Sequence, residues 1–137
     1  YGPAMLERFV GRRLREEQTA TRAAGMLFSY NVHTGVMPIL DYLAALDLDS
    51  IFGIDIAFHG VNLELIRAKL GRRSLWIGPS STYHLWAGPE VTRQAVRQTF
   101  DVFGRERGFV LTPGVSAHCV MPWESTLALI DEWKKWR

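Results

Sequence analysis

The chain has 137 residues, the usual size of one domain, and it is 47% hydrophobic, 12% aromatic and 22% charged. Such a composition allows a packed core and excludes a disordered or collagen-like chain. The net charge of +2 is small, so we expect neither a nucleic acid nor a membrane as a partner. Because Cys119 is the single cysteine, no internal disulfide can form, and a reducing, cytoplasmic location is expected. With neither an initiator Met nor a signal pattern at its start, the sequence 1–137 is expected to be one domain or a fragment of one.

Predicted helices and strands alternate along the chain. An amphipathic helix comes first, over residues 4–23, with Pro3 near its first turn and Gly25 as its stop. Four short apolar runs then alternate with four helical segments. The predicted strands are 26–31, 50–55, 74–78 and 108–112. The predicted helices are 37–46, 62–70, 89–103 and 123–136, and the predicted loops include 79–88 and 113–122.

This alternation is typical of a parallel sheet, because parallel strands need crossovers and are covered by helices. The predicted class is α/β, with four β/α units after a leading helix. A (β/α)8 barrel has eight such units, so four of them correspond to half a barrel, while the pattern alone equally allows a complete doubly wound sheet. Trp76, within an apolar strand, is predicted to lie in the core. Since a half-barrel exposes two strand edges and an apolar inner face, we expect a homodimer.

Polar side chains gather where the predicted strands end. Each of the four predicted strands is followed by one histidine: His33, His59, His84 and His118. Loops after the carboxyl ends of parallel strands meet at one face, so we expect the imidazoles to share a site with Cys119 and Asp55. The predicted catalytic residues are His33, Asp55, His84 and His118.

The segment 78–84, Gly-Pro-Ser-Ser-Thr-Tyr-His, places small hydroxyl residues between a strand and a helix. Such a segment is suited to binding a carboxylate or a phosphate of a small-molecule substrate. A hydroxyl-capped loop without a ligand is an equally good interpretation. The predicted substrate-binding residues are Asn31, His59, Ser80, Ser81, Thr82 and Tyr83.

A zinc site is a further hypothesis, with His33 and Cys119 as its candidate ligands. Zinc needs three or four nitrogen or sulfur ligands, and histidines from separate barrel strands can supply them. The chain has no tight ligand spacing, and the alternative is a set of loop histidines that make ordinary hydrogen bonds. We find no dinucleotide fingerprint, P-loop or nucleophile elbow.

Several phrases follow one another in a recognisable order. They are Val-Met-Pro-Ile-Leu-Asp-Tyr-Leu at 36–43, Ile-Arg-Ala-Lys-Leu-Gly at 66–71, Gly-Pro-Glu-Val-Thr-Arg-Gln-Ala-Val at 88–96, Gly-Phe-Val-Leu-Thr-Pro-Gly at 108–114 and Pro-Trp-Glu-Ser-Thr-Leu-Ala-Leu at 122–129. Their succession resembles the C-terminal half of the uroporphyrinogen decarboxylase superfamily over nearly the whole chain. The resemblance implies the last four units of a (β/α)8 barrel, without the half that carries much of the substrate site.

The resemblance also implies two chemistries. The superfamily includes decarboxylases that remove acetate carboxylates from a tetrapyrrole without a cofactor, and zinc enzymes that move methyl groups between a corrinoid and a thiol. The zinc branch has a His-x-Cys where this chain has Asn31 and His33, and a Cys where it has Val115. The decarboxylases place a histidine at the Val115 position. His33 alone remains as a ligand, and we hypothesise that His118 or Cys119 substitutes for the rest.

The leading interpretation is a divergent decarboxylase-like enzyme that acts on a carboxylated tetrapyrrole or a similar substrate. Imidazoles would act as general acids, and Ser80, Ser81, Thr82 and arginines would bind carboxylates. The first alternative is zinc-dependent methyl transfer with a corrinoid protein as partner. The second is a non-catalytic binding or assembly module. One barrel serves many reactions, so the fold alone does not choose among them.

Overall fold

The computed structural model describes residues 2–104, 108–114 and 120–136. These residues form one sheet whose strands are parallel and lie in chain order. The strands are β1 (Ser29–Asn31), β2 (Ser50–Asp55), β3 (Ser74–Gly78) and β4 (Phe109–Leu111). The leading helix α1 runs through Pro3–Leu6, a π-helical turn Glu7–Gly11, and Arg12–Ala23. The later helices are α2 (a 3-10 turn Met37–Ile39, then Leu40–Ala45), α3 (Leu63–Leu70), α4 (Pro89–Phe103) and α5 (Trp123–Lys134).

Local sequence signals set the bounds of these helices. Pro3 occupies the first turn of α1, and Gly25 follows its end at a φ of 69°, a conformation that glycine adopts without strain. Asn62 caps α3, because its side-chain oxygen accepts a hydrogen bond of 2.9 Å from the Leu65 N–H. Pro89 opens α4 directly after Gly88, whose φ is 114°. In the part of the chain that the structure describes, every helix is too short or too polar to cross a bilayer.

The sheet topology separates the two folds that the pattern allowed. A doubly wound sheet reverses its strand order and carries helices on both faces. Here the order is β1-β2-β3-β4, and one face is buried at the two central strands while the other face is partly exposed. The buried face includes Ile51, Leu75 and Ile77, and the other face carries Phe52, Trp76 and Val110. The α/β class is confirmed, with four parallel units after a leading helix, as in half of a (β/α)8 barrel.

Three sequence expectations differ from the structure. The first strand begins at Ser29 rather than at residue 26, because the Met26 N–H still bonds to the Thr21 carbonyl at 3.0 Å and belongs to the end of α1. The predicted loop 79–88 contains a π-helical turn, Ser81–Leu85. The sequence predicts Trp76 in the core, yet Trp76 is 37% exposed, because in the strand it alternates with side chains that face the helices.

The last two helices are joined by an ion pair whose carboxylate is buried. Glu132 on α5 is 4% exposed and accepts hydrogen bonds from Arg97 on α4 at 2.9 and 3.3 Å. Lys135 donates a further bond of 2.8 Å to the same carboxylate. The bonds from Arg97, more than the opposing effect of burial, lower the pKa of Glu132 from 4.5 to about 2. The pair therefore fixes α5 against α4 at any pH near neutrality.

Candidate functional site

A bulge in β2 sets the direction of the side chains at the carboxyl edge of the sheet. Phe52 pairs with Trp76 and Ile54 pairs with Ile77, so Gly53 is left as an extra residue at a φ of 81°. The extra residue shifts the alternation by one position. Ile54 therefore joins the buried face, and the next residue, Asp55, lies with Phe52 on the opposite face.

Gly114, which follows β4, brings all four strand ends together. Its carbonyl oxygen accepts a hydrogen bond of 3.0 Å from His33, which follows β1. Its N–H donates a bond of 2.9 Å to the carbonyl of Pro79, which follows β3. A Cβ on Gly114 would lie 2.8 Å from the Cα of Asp55, at the end of β2, so glycine is required for this approach.

The partner of His33 assigns the tautomer of its ring. A carbonyl oxygen can only accept, so His33 Nδ1 carries the proton that is donated to Gly114, and the neutral ring has its lone pair on Nε2. Histidines that act as metal ligands or bases are held in this way, by a hydrogen bond on the other nitrogen. His33 is exposed, and both its Nδ1 and the Asn31 side-chain oxygen lie within 3.2 Å of the position that a Cβ on Gly53 would take.

His84 has the opposite tautomer. The Ser80 backbone N–H donates a bond of 2.8 Å to His84 Nδ1, so the proton of the neutral ring is on Nε2. Burial lowers the pKa of His84 below 6.5, and the negative charge of Asp55 opposes this effect. His84 is therefore a neutral hydrogen-bond donor at pH 7. It is close enough to Asp55, at the end of β2, for the charge of that residue to affect its pKa.

The hydroxyl residues between β3 and α4 divide into two groups. Ser80 and Ser81 are fully buried, and the Ser81 hydroxyl has no hydrogen-bond partner among the described residues. Thr82 and Tyr83 are exposed; the Thr82 hydroxyl lies 3.2 Å from that of Ser80, and the Tyr83 ring packs edge-on against Phe58. A substrate at the surface can reach the exposed pair and cannot reach the buried pair in this conformation.

The remaining candidate residues are either exposed or outside the described part of the chain. His59 is exposed in the segment after β2. His118 and Cys119 lie outside the described residues, as does Val115. Within the described ranges, no three His, Cys, Asp or Glu side chains are close enough to bind a metal ion. These residues alone do not fit a zinc site, and zinc binding by His33 with Cys119 stays a prediction.

The sequence interpretation missed the two glycines that hold this edge together. Gly53 lies inside a predicted strand, and a glycine there is a known signal for a bulge. Gly114 follows Pro113 in a predicted loop, where a sharp turn is the usual explanation. Its contacts with three other strand ends depend on the curvature of the sheet, for which the local sequence carries no signal.

No protein-family model matches this sequence, and no curated protein matches it. The structure is similar to a solved structure of a methyltransferase from Methanosarcina mazei, with a TM-score of 0.74 and 19% sequence identity. The match covers 98% of this chain and 38% of the other, so the chain spans less than half the length of the protein it matches. At this identity, the similarity shows the fold alone.

Proposed function

We propose that this chain belongs to a methyltransferase of the uroporphyrinogen decarboxylase superfamily and transfers a methyl group from a corrinoid to a thiol. The observation that carries the proposal is the state of His33. Its Nδ1–H is held by the Gly114 carbonyl, so the basic Nε2 is available at the edge where all four strand ends meet. The likeness to a methyltransferase favours this chemistry over others that an imidazole can serve.

The proposed step is a proton transfer followed by a displacement at the methyl carbon. His33 Nε2 accepts the proton of the thiol, and the resulting thiolate forms a sulfur–carbon bond to the methyl group. The bond between the methyl group and its donor breaks, and its electron pair stays with the donor. His84, with its proton on Nε2, donates a hydrogen bond to an anionic group of the substrate.

The decarboxylase interpretation has less support. It requires a carboxylate-binding set of hydroxyls, and two of the three serine and threonine residues predicted for that role, Ser80 and Ser81, are fully buried. Methyl transfer needs no such set, because its acceptor is activated by a single base.

A direct assay follows methyl transfer from methylcobalamin to 2-mercaptoethanol by the absorbance of the corrinoid. His33→Gln should lower the rate by about 10²- to 10⁴-fold, the usual contribution of a general base. Gln94→Ala, an exposed position on α4, is the matched control and should keep the full rate. Full activity in His33→Gln would remove His33 from the mechanism. Turnover of a porphyrinogen without methyl transfer would replace the proposal with the decarboxylase reaction.

The same preparations distinguish a base from a metal ligand. Zinc content is measured on protein purified without added metal or chelator, for the unaltered chain, His33→Gln and Cys119→Ala. A chain without zinc supports the role of His33 as a base. About one zinc per chain, lost in both variants, would instead identify His33 Nε2 and Cys119 as zinc ligands.

A further inference from the structure

Asn31 and His33 place their side chains on the same face of the sheet. The pairing with β2 continues past the end of β1, because the Val32 N–H donates a bond of 2.9 Å to the Phe52 carbonyl. The Asp55 N–H then donates a bond of 3.0 Å to the His33 carbonyl. Val32 is buried whereas Asn31 and His33 are exposed, as the alternation of an extended strand requires. A further strand beside β1 would bond to its backbone and would leave these directions unchanged.

Both side chains reach the space beside Gly53. A Cβ on Gly53 would lie 3.1 Å from Asn31 Oδ1 and 3.2 Å from His33 Nδ1. The same Cβ would lie 3.3 Å from the Gly114 carbonyl oxygen, which accepts the hydrogen bond from His33. The Asn31 amide and the His33 ring are therefore neighbours at the carboxyl edge of the sheet, and the lack of a side chain at Gly53 allows this arrangement.

The two side chains offer one acceptor and one donor. In the neutral ring, His33 Nε2 has the lone pair, because Nδ1 donates to Gly114. The Asn31 amide directs its oxygen toward Gly53, so its nitrogen, which carries two donors, is on the other arm of the amide. An amide, unlike an imidazole, neither gains nor loses a proton near neutral pH. Asn31 can therefore hold a ligand without exchanging a proton with it.

We propose that Asn31 binds the sulfur atom of the thiol acceptor and stabilises its thiolate. A thiol fits the pair, because its S–H donates to His33 Nε2 while its sulfur accepts a hydrogen bond from Asn31 Nδ2. When the S–H bond breaks, the proton forms an N–H bond on Nε2 and the electron pair stays on sulfur. The hydrogen bond from Nδ2 then becomes charge-assisted and therefore stronger. This inference rests on the proposed function and names the residue that receives the sulfur.

The energetics of proton transfer favour a thiol over an oxygen nucleophile. An ordinary thiol has a pKa of about 8.5 and an ordinary imidazole one of about 6.5, so transfer between them is unfavourable by about 100-fold. One hydrogen bond to a charged group offsets about 10- to 100-fold. Water, with a pKa of about 15.7, lies far beyond such an offset. One donor beside one imidazole is thus sufficient for a thiol and insufficient for water.

The first test uses the transfer of the methyl group from methylcobalamin to 2-mercaptoethanol. Asn31→Ala should lower kcat/KM for the thiol by about 10- to 100-fold, the contribution of one hydrogen bond to a charged group. Asn31→Asp keeps the shape of the side chain without its donor, and should lose at least as much. A role in shape alone would leave Asn31→Asp active. Ser29→Ala, two residues earlier on the same exposed face of β1, is the matched control and should keep the full rate.

The second test needs no turnover. The NMR resonances of the Asn31 side-chain amide are followed during anaerobic addition of 2-mercaptoethanol, and then of ethylene glycol, its oxygen analogue. They should shift with the thiol and stay in place with the glycol. Circular dichroism on each variant checks that the fold is kept.

The two tests separate this inference from the proposed function. Amide resonances that shift with the thiol, in a chain that transfers no methyl group, would remove the reaction and leave the thiol site. A rate that depends on His33 but is unchanged in Asn31→Ala would overturn the inference alone. Amide resonances that ignore the thiol, or that shift equally with ethylene glycol, would also overturn it.

Discussion

Gly53→Ala tests whether the bulge in β2 positions the candidate site. A φ of 81° costs a residue with a Cβ about 1–2 kcal/mol. The new Cβ would also lie 3.1 Å from Asn31 Oδ1, 3.2 Å from His33 Nδ1 and 3.3 Å from the Gly114 carbonyl oxygen. Contacts this close displace the side chains, which adds about 1 kcal/mol, the low end of the cost measured for overpacked cores. The expected loss of unfolding free energy is therefore about 2–3 kcal/mol.

Gly25→Ala is the matched control for this variant. Gly25 has a φ of 69°, and an added Cβ there would meet no atom within 4 Å. It carries the backbone strain of Gly53→Ala and the same entropy change in the unfolded chain, without the crowding of the site. Urea unfolding at one fixed protein concentration measures both variants, and Gly53→Ala should lose about 1 kcal/mol more than Gly25→Ala.

A second readout follows the site itself. The NMR resonances of the His33 ring should move in Gly53→Ala, because its Nδ1 and the Gly114 carbonyl both lie beside the new methyl group. They should not move in Gly25→Ala. Equal losses of stability in the two variants, with unmoved His33 resonances in both, would show that glycine is needed at position 53 only for its backbone conformation. Gly53 would then not position His33.

Two further predictions concern buried ionisable groups. Glu132→Gln should lose about 1.5–3 kcal/mol of unfolding free energy at neutral pH, whereas Glu90→Gln, 61% exposed and 3.5 Å from Arg97, should lose at most about 1 kcal/mol. Since the folded state lowers the pKa of Glu132 from 4.5 to about 2, its contribution is complete above 4.5 and disappears as the pH falls toward 2; equal urea midpoints for the two variants would contradict this. The folded state also lowers the pKa of His84 below 6.5, so near and below pH 6.5 the unfolded chain binds more protons than the folded chain. The free energy of unfolding therefore falls as the pH drops through 6.5. His84→Asn, which keeps an acceptor for the Ser80 N–H, should reduce the difference in stability between about pH 7.5 and pH 5; an unchanged difference would contradict the assignment.

The sequence was sufficient for the alternation of strands and helices, because each element carries its own period and end signals. It was not sufficient to predict which side of each strand is buried. Trp76 is an apolar residue in an apolar strand, and its residue type does not indicate which side of the sheet the helices cover. The turn at 81–85 was missed because its serine and threonine residues favour loops, while Leu85, fully buried, anchors it as a helical turn.

The chemistry of the candidate site is likewise only partly predictable from the sequence. His33, His59 and His84 follow strands as the sequence predicts, yet position after a strand does not define a chemical role. The role of His33 depends on a carbonyl that accepts from Nδ1, and the role of His84 on an N–H that donates to Nδ1. In the neutral form, one ring thereby has its lone pair on Nε2 and the other has its proton there. Neither partner is identifiable from the residue type, since every residue has a carbonyl and nearly every residue has an N–H.

The bond between His33 and Gly114 also ties the site to the shape of the sheet. The two residues follow β1 and β4, which are separated by two strands. Neighbouring strands lie about 4.8 Å apart, so in a flat sheet the two strand ends would be about 14 Å from each other, beyond the reach of a histidine side chain. The observed distance of 3.0 Å between His33 Nδ1 and the Gly114 oxygen therefore requires the sheet to curl at its carboxyl edge. The curvature that a closed barrel needs is thus the same curvature that assigns the proton of the neutral His33 ring to Nδ1.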